Sequence, residues 1–195
     1  MGRLEGRVAF ITGAGRGIGA ATALRMAEEG AQVVLADIDT EGCKQVSAEL
    51  DRLGSEGLVV PCNVADSAMV QDAIDKAANH FGRLDILVNN AGVVRDNLLF
   101  KMSEDDWDTV MNVHLKGAIT VNAVAPGFID TEMTRTTARR MGFDPDERIA
   151  EAVKIIPVHR VGQPRDVANV ICFLSSDEAG FVSGQVIYVA GGPRG

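Results

Sequence analysis

Val8-Ala-Phe-Ile-Thr-Gly-Ala-Gly-Arg-Gly-Ile-Gly19 decides the reading of this chain. Val8 to Ile11 is a continuous apolar run, the pattern of a strand buried on both faces. It enters a loop with glycine at 13, 15, 17 and 19. An amphipathic helix follows, about Gly17 to Glu29, with Ile18, Ala21 and Leu24 on one side and Gly30 as its C′ residue. Glycine has three uses here: Gly13 permits the tight turn, Gly17 lets a ligand touch the backbone, and Gly19 lets the helix pack closely. The helix N-terminus offers N–H groups and a partial positive charge to a phosphate. Asp37 ends the next apolar run, Gln32 to Ala36. A carboxylate about 20 residues past such a loop can accept both ribose hydroxyls of a dinucleotide and repel a 2′-phosphate. The combination points to NAD(P), with NAD favoured over NADP. Arg16 pulls the other way, since a loop cation suits that phosphate. A ligand-free turn, and an Asp that merely ends a strand in water, are the competing readings.

Outward from this stretch, short β-branched runs alternate with helical ones. Thr40 to Leu53 reads as a second helix, and Leu58 to Val60 opens a third strand. Asp66 or Ser67 caps a third helix carrying Val70, Ala73, Ile74, Ala77 and Phe81 before Gly82. Ile86 to Val88 is a fourth strand, and Ser103-Glu-Asp-Asp106 opens a helix to Lys116. Ile119 to Val124 reads as a strand, Gly127 to Pro157 as a broken, charged region, Pro164 to Ser175 as a helix and Gln185 to Val189 as the last strand. Repeated strand-helix-strand order predicts an α/β fold: one Rossmann-like domain over residues 1–195, a doubly wound parallel sheet with helices on both faces.

The composition agrees: 46% hydrophobic and 24% charged residues describe a globular chain. The net charge of −8 argues against nucleic acid and anionic membrane surfaces as partners. The longest apolar runs are far too short for a membrane span, and Met1-Gly-Arg-Leu-Glu-Gly6 has no signal-peptide core, so a cytoplasmic protein is expected. Cys43, Cys62 and Cys172 match no zinc spacing, and buried thiols with no metal are the expectation.

The loop spacing is Gly-x-x-x-Gly-x-Gly, and here the chain resembles the short-chain dehydrogenase/reductase family. Three ordered segments carry the likeness: Thr12 to Gly19, Asn89-Asn-Ala-Gly92 and Pro126-Gly-Phe-Ile-Asp-Thr131. Ala91 to Leu99 and Gly184 to Gly192 resemble the 3-oxoacyl-[acyl-carrier-protein] reductases within it. The resemblance implies a pyrophosphate held by Gly13, Arg16, Gly17, Ile18 and Gly19, and an adenosine ribose held by Asp37. Asn63 and Val64 would stand beside the adenine, with Asn where the family usually has Asp. Asn90, Ala91 and Gly92 would line the cofactor, and Ile129 and Thr131 would meet the nicotinamide carboxamide. Hydride transfer to a carbonyl is the implied chemistry, with a 3-oxoacyl thioester, small or linked to acyl carrier protein, as substrate. A homo-oligomer is the family's habit.

The family's catalysis resembles general-acid hydride transfer by a Tyr, a Lys four residues on, a Ser and a helix Asn. Asn112 matches that Asn, although alone it also reads as an ordinary polar helix residue. His114 as a substitute acid is the weaker idea. Tyr188 is the only tyrosine and Gly192 stands four residues after it, so Tyr-x-x-x-Lys occurs nowhere. Lys116-Gly-Ala118 leads directly into Ile119 to Pro126, which matches the family's next strand. About 50 residues are therefore missing between Ala118 and Ile119, at about 30 or more per strand-helix-strand unit. The fold lacks one central strand and the helix after it, and with them the Ser, the Tyr, the Lys and much of the implied dimer interface. Either the Ile119 strand closes against the fourth strand or the sheet is split.

Overall fold

The computed structural model describes residues 2–92 and 120–192. The first stretch runs β1 (Val8–Thr12), α1 (Gly17–Glu28), β2 (Gln32–Asp37), α2 (Thr40–Arg52), β3 (Gly57–Pro61), α3 (Ser67–Phe81) and β4 (Ile86–Val88). The second runs β5 (Ala123–Pro126), α4 (Glu132–Arg140), α5 (Pro145–Ile155), α6 (Pro164–Leu174), a 3₁₀ turn (Asp177–Ala179) and β6 (Val186–Val189). The Ser103 helix, Asn112, His114 and Ile119 lie outside the described residues.

All paired strands are parallel, in the order β3-β2-β1-β4. Every residue of β1 is buried, as its unbroken apolar run requires. The pleat sorts these side chains to opposite faces. Ala9, Ile11, Val33 and Leu35 join Met26, Leu50 and Cys172 in one core, under α1, α2 and α6. Val8, Phe10, Val34 and Ala36 join Ala73 and Ala77 of α3 in the other. The doubly wound arrangement is thus written in strand residues two apart.

β5 and β6 pair in parallel with each other, and among the described residues neither pairs with β4. Of the two alternatives, the described residues show the split sheet. Burial fades toward the split: β1 is fully covered, whereas Leu87 of β4 and Val186 of β6 are exposed. A parallel sheet is normally covered on both faces, and this thinning falls where the missing strand and helix are expected. The second stretch is tied on instead through α6, which packs along α1.

Three expectations need correction. Gly127 to Pro157 is not broken: it holds α4 and α5. Thr131 and Asp144 cap them, and Pro145 opens α5 where its missing N–H costs nothing. The strand expected from Ile119 to Val124 is β5, displaced to Ala123–Pro126. Val121 and Asn122 bond instead to the 182–185 loop, Val121 N–H to Ser183 Oγ and Asn122 Nδ2 to the Val182 carbonyl. On α1 the fully buried face is Gly19, Thr22, Ala23, Met26 and Ala27, while Ile18, Ala21 and Leu24 are half-buried. The helix is wedged between sheet and α6, so polarity alone misplaces its inner face.

Candidate cofactor site

The C-terminal ends of β1, β2, β3 and β4 put Gly13–Gly19, Asp37, Asn63 and Asn90–Gly92 along one edge of the sheet. Ligands of open α/β folds bind at this edge.

The loop is shaped by contacts that only glycine allows. Gly13 and Gly17 have φ of 66° and 59°, in the left-handed region. A Cβ on Gly19 would lie 2.1 Å from the Gly13 carbonyl oxygen and 2.6 Å from Asn90 Nδ2. A Cβ on Gly17 would meet nothing within 4 Å among the described residues, so toward them the backbone is bare. Arg16, exposed, is the N-cap of α1 without a side-chain cap bond, and no acid occupies the first turn. This helix N-terminus and open backbone suit a pyrophosphate chemically. Ile18, half-buried, anchors the first turn, and its carbonyl accepts Thr22 Oγ1–H at 2.8 Å.

Thr12 is a hub that the motif alone does not reveal. Its hydroxyl oxygen accepts the N–H groups of Asn90 and Ala91, each at 3.0 Å, and donates to the Val88 carbonyl at 3.3 Å. Asn90 turns its amide inward, donating to the carbonyls of Thr12 at 3.0 Å and Gly13 at 3.1 Å. It therefore braces the glycine loop from behind. The signal in the sequence was the small polar residue ending an apolar strand beside a second Asn. Among the described residues a Cβ on Gly92 would meet only the Asn90 carbonyl, at 3.9 Å.

Asp37 accepts the Gly15 N–H on Oδ2 at 2.9 Å and the Asp39 N–H on Oδ1 at 3.0 Å. Behind it lies Cys43, whose buried thiol is pushed up to about 12 by desolvation and by Asp37 and Asp39. Burial likewise raises Cys62 and Cys172, and none of the three buried thiols forms a disulfide. Asn63 follows β3, its Oδ1 accepting Ala65 N–H at 3.1 Å, and this turn leaves Val64 exposed.

Ile129 and Thr131 belong to the other sheet's edge, after β5. Ile129 is buried and bridges to Gly162. Thr131 spends its hydroxyl on capping α4, accepting Thr134 N–H at 3.2 Å. Among the described residues no hydrogen bond joins this pair to the β1–β4 group. Nor does any described group of His, Cys, Asp and Glu suit a metal ion. No described helix is long and apolar enough to cross a membrane.

Strand order, glycine loop and the acid ending β2 define a Rossmann-type, dinucleotide-binding class of protein. The chain belongs to the short-chain dehydrogenase family: the profile described as short chain dehydrogenase matches residues 7–120, and one described as enoyl-(acyl carrier protein) reductase matches 116–193. It is accordingly an oxidoreductase by family. It is 37% identical over 251 positions to the 3-oxoacyl-[acyl-carrier-protein] reductase of Thermotoga maritima, covering 97% of this chain and 98% of that one. Among solved structures, it is similar to a 7α-hydroxysteroid dehydrogenase complexed with NADH (28% identity, 97% of this chain and 95% of that one, TM-score 0.81). It is also similar to L-sorbose reductase from Gluconobacter frateurii complexed with NADPH (25% identity, 98% and 97%, TM-score 0.83). The alignment of 251 positions exceeds the 195 residues here yet spans nearly all of both chains, so the bacterial reductase has an internal surplus. The two family matches overlap at 116–120, across the join expected between Ala118 and Ile119.

Proposed function

We propose that this chain is the cofactor-holding part of an NAD(P)-dependent reductase, with NAD favoured, and that by itself it has negligible reductase activity. In this reading Gly13, Arg16, Gly17, Ile18 and Gly19 receive the pyrophosphate, and Asp37 the adenosine ribose. Asn63 and Val64 flank the adenine, Ala91 and Gly92 line the cofactor, and Asn90 keeps the loop in shape. Ile129 and Thr131 serve the carboxamide side, and Asn112 supports proton relay. The bound nicotinamide would supply a hydride to a carbonyl, a 3-oxoacyl thioester being the substrate favoured by the relatives. One domain, a cytoplasmic setting, and self-association weaker than the family's complete the reading.

The observation that carries it is the absence of Tyr-x-x-x-Lys from a sequence whose glycine loop and ribose acid are intact. Without that pair no residue in the motif position gives a proton to the developing alkoxide. General-acid catalysis contributes about 10²–10⁴-fold, and positioning is lost besides. The second reading, a non-catalytic nucleotide-binding or partner subunit, draws on the same intact half.

Two measurements test this. NADH fluorescence titration should show saturable binding, and no saturation rejects cofactor holding. An NADH-linked assay on an acetoacetyl thioester should give no rate above background, and robust turnover overturns the assignment. Asp37→Ala should cut the NAD preference about tenfold, the order of a lost hydrogen bond to a charged group. An unchanged NADH-to-NADPH affinity ratio removes Asp37 from this role.

A further inference from the structure

Asp37 is held by a closed ring of contacts. Its Oδ2 accepts Gly15 N–H at 2.9 Å, and its Oδ1 accepts Asp39 N–H at 3.0 Å. Asp39 caps α2, its Oδ1 accepting Gly42 N–H at 3.2 Å. Gly42 returns to the start: a Cβ there would sit 2.7 Å from the Gly15 carbonyl oxygen. A Cβ on Gly15 would in turn sit 3.1 Å from Asp37 Oδ2.

Gly42 lies in the first turn of α2, where glycine is a poor helix former. Its φ is not in the left-handed region, so no turn geometry demands glycine. The demand is the approach of α2 to the loop backbone, and a carbonyl oxygen cannot swing aside as a flexible side chain can. We propose that Gly42 is a positioning residue for dinucleotide choice: it seats α2 on Gly15 and thereby fixes the Asp37 carboxylate at the ribose site. This rests on the reading of Asp37 as the ribose acid. Displacing the Gly15 carbonyl turns the Gly15 backbone about its Cα and draws the Gly15 N–H, in the preceding peptide, off Oδ2, so the effect is read at the ribose contact.

The full chain and its Gly42→Ala, Gly15→Ala and Asp37→Asn variants are titrated with NADH and with NADPH, alongside thermal unfolding. Gly42→Ala should weaken NADH about tenfold and leave NADPH nearly unchanged. A merely structural role would weaken both equally, and that result, or an unchanged ratio, overturns the proposal. If Gly42→Ala does not fold, Gly15→Ala decides, because it presses on Oδ2 directly from outside any helix. A ratio that moves in Asp37→Asn but in neither glycine variant sinks this proposal alone. A ratio unmoved in Asp37→Asn sinks the underlying reading with it.

Discussion

Glu29 closes α1 with its carboxylate between two arginines. Arg3 donates to it from its backbone N–H at 3.0 Å and its guanidinium at 2.8 Å, and Arg25 donates from one turn back. These donors, Arg3 foremost, hold the carboxyl down at about 2. An unfolded Glu titrates near 4.3, so the folded form binds its proton less readily. The ion cluster therefore stabilises above about pH 4.3 and is lost as pH falls toward 2. Glu29→Gln should cost about 1–2 kcal/mol at pH 7. Urea unfolding across pH should show the variant and wild-type curves converging at about pH 2. At this scale the sequence was legible where chemistry is intrinsic to a residue: Gly13, Gly17 and Gly19 each meet a backbone demand that only glycine satisfies. It was illegible where the role depends on aim. Nothing in Asn89-Asn-Ala-Gly92 says that Asn90 points its amide back at Thr12 and Gly13.

At the scale of elements, end signals outperformed periodicity. Asp66 caps α3, its Oδ1 accepting the N–H groups of Ala68 at 3.0 Å and Met69 at 3.2 Å, and Gly82 closes it at φ 73°. Both were readable, as were Ala73 and Ala77 facing the core. Asp66→Ala should lower stability by about 1 kcal/mol with the helix otherwise intact, visible as a lower urea midpoint at unchanged slope. α4 escaped because it buries no residue and so leaves no apolar stripe. α5 buries only Ala152, although Asp144-Pro145-Asp146-Glu147 carries every mark of a helix start. β5 slipped because Thr120 to Asn122 reads as strand by residue type, whereas register with β6 and side-chain bonds to the 182–185 loop set where pairing begins.

At the scale of the whole molecule, the β1–β4 sheet and the β5–β6 pair are joined, among the described residues, through helices and not through strand pairing. α1 and α6 pack side by side, with Cys172 of α6 buried among Ile11 and Leu35. Arg165 pairs with Glu28 at 2.9 Å, Arg25 donates to Asn169 at 3.0 Å, and Arg7 donates to the Ser175 carbonyl at 3.0 Å. Such a seam does not require the covalent link between the parts. Fragments 1–92 and 120–195, purified apart and mixed, should therefore reassemble into a complex, seen as a one-to-one species in analytical ultracentrifugation. Leu50, fully buried in the same core, is a control: Leu50→Ala costs about 2–5 kcal/mol and should weaken reassembly. A protein whose two pieces reassembled across this seam would serve as a split reporter.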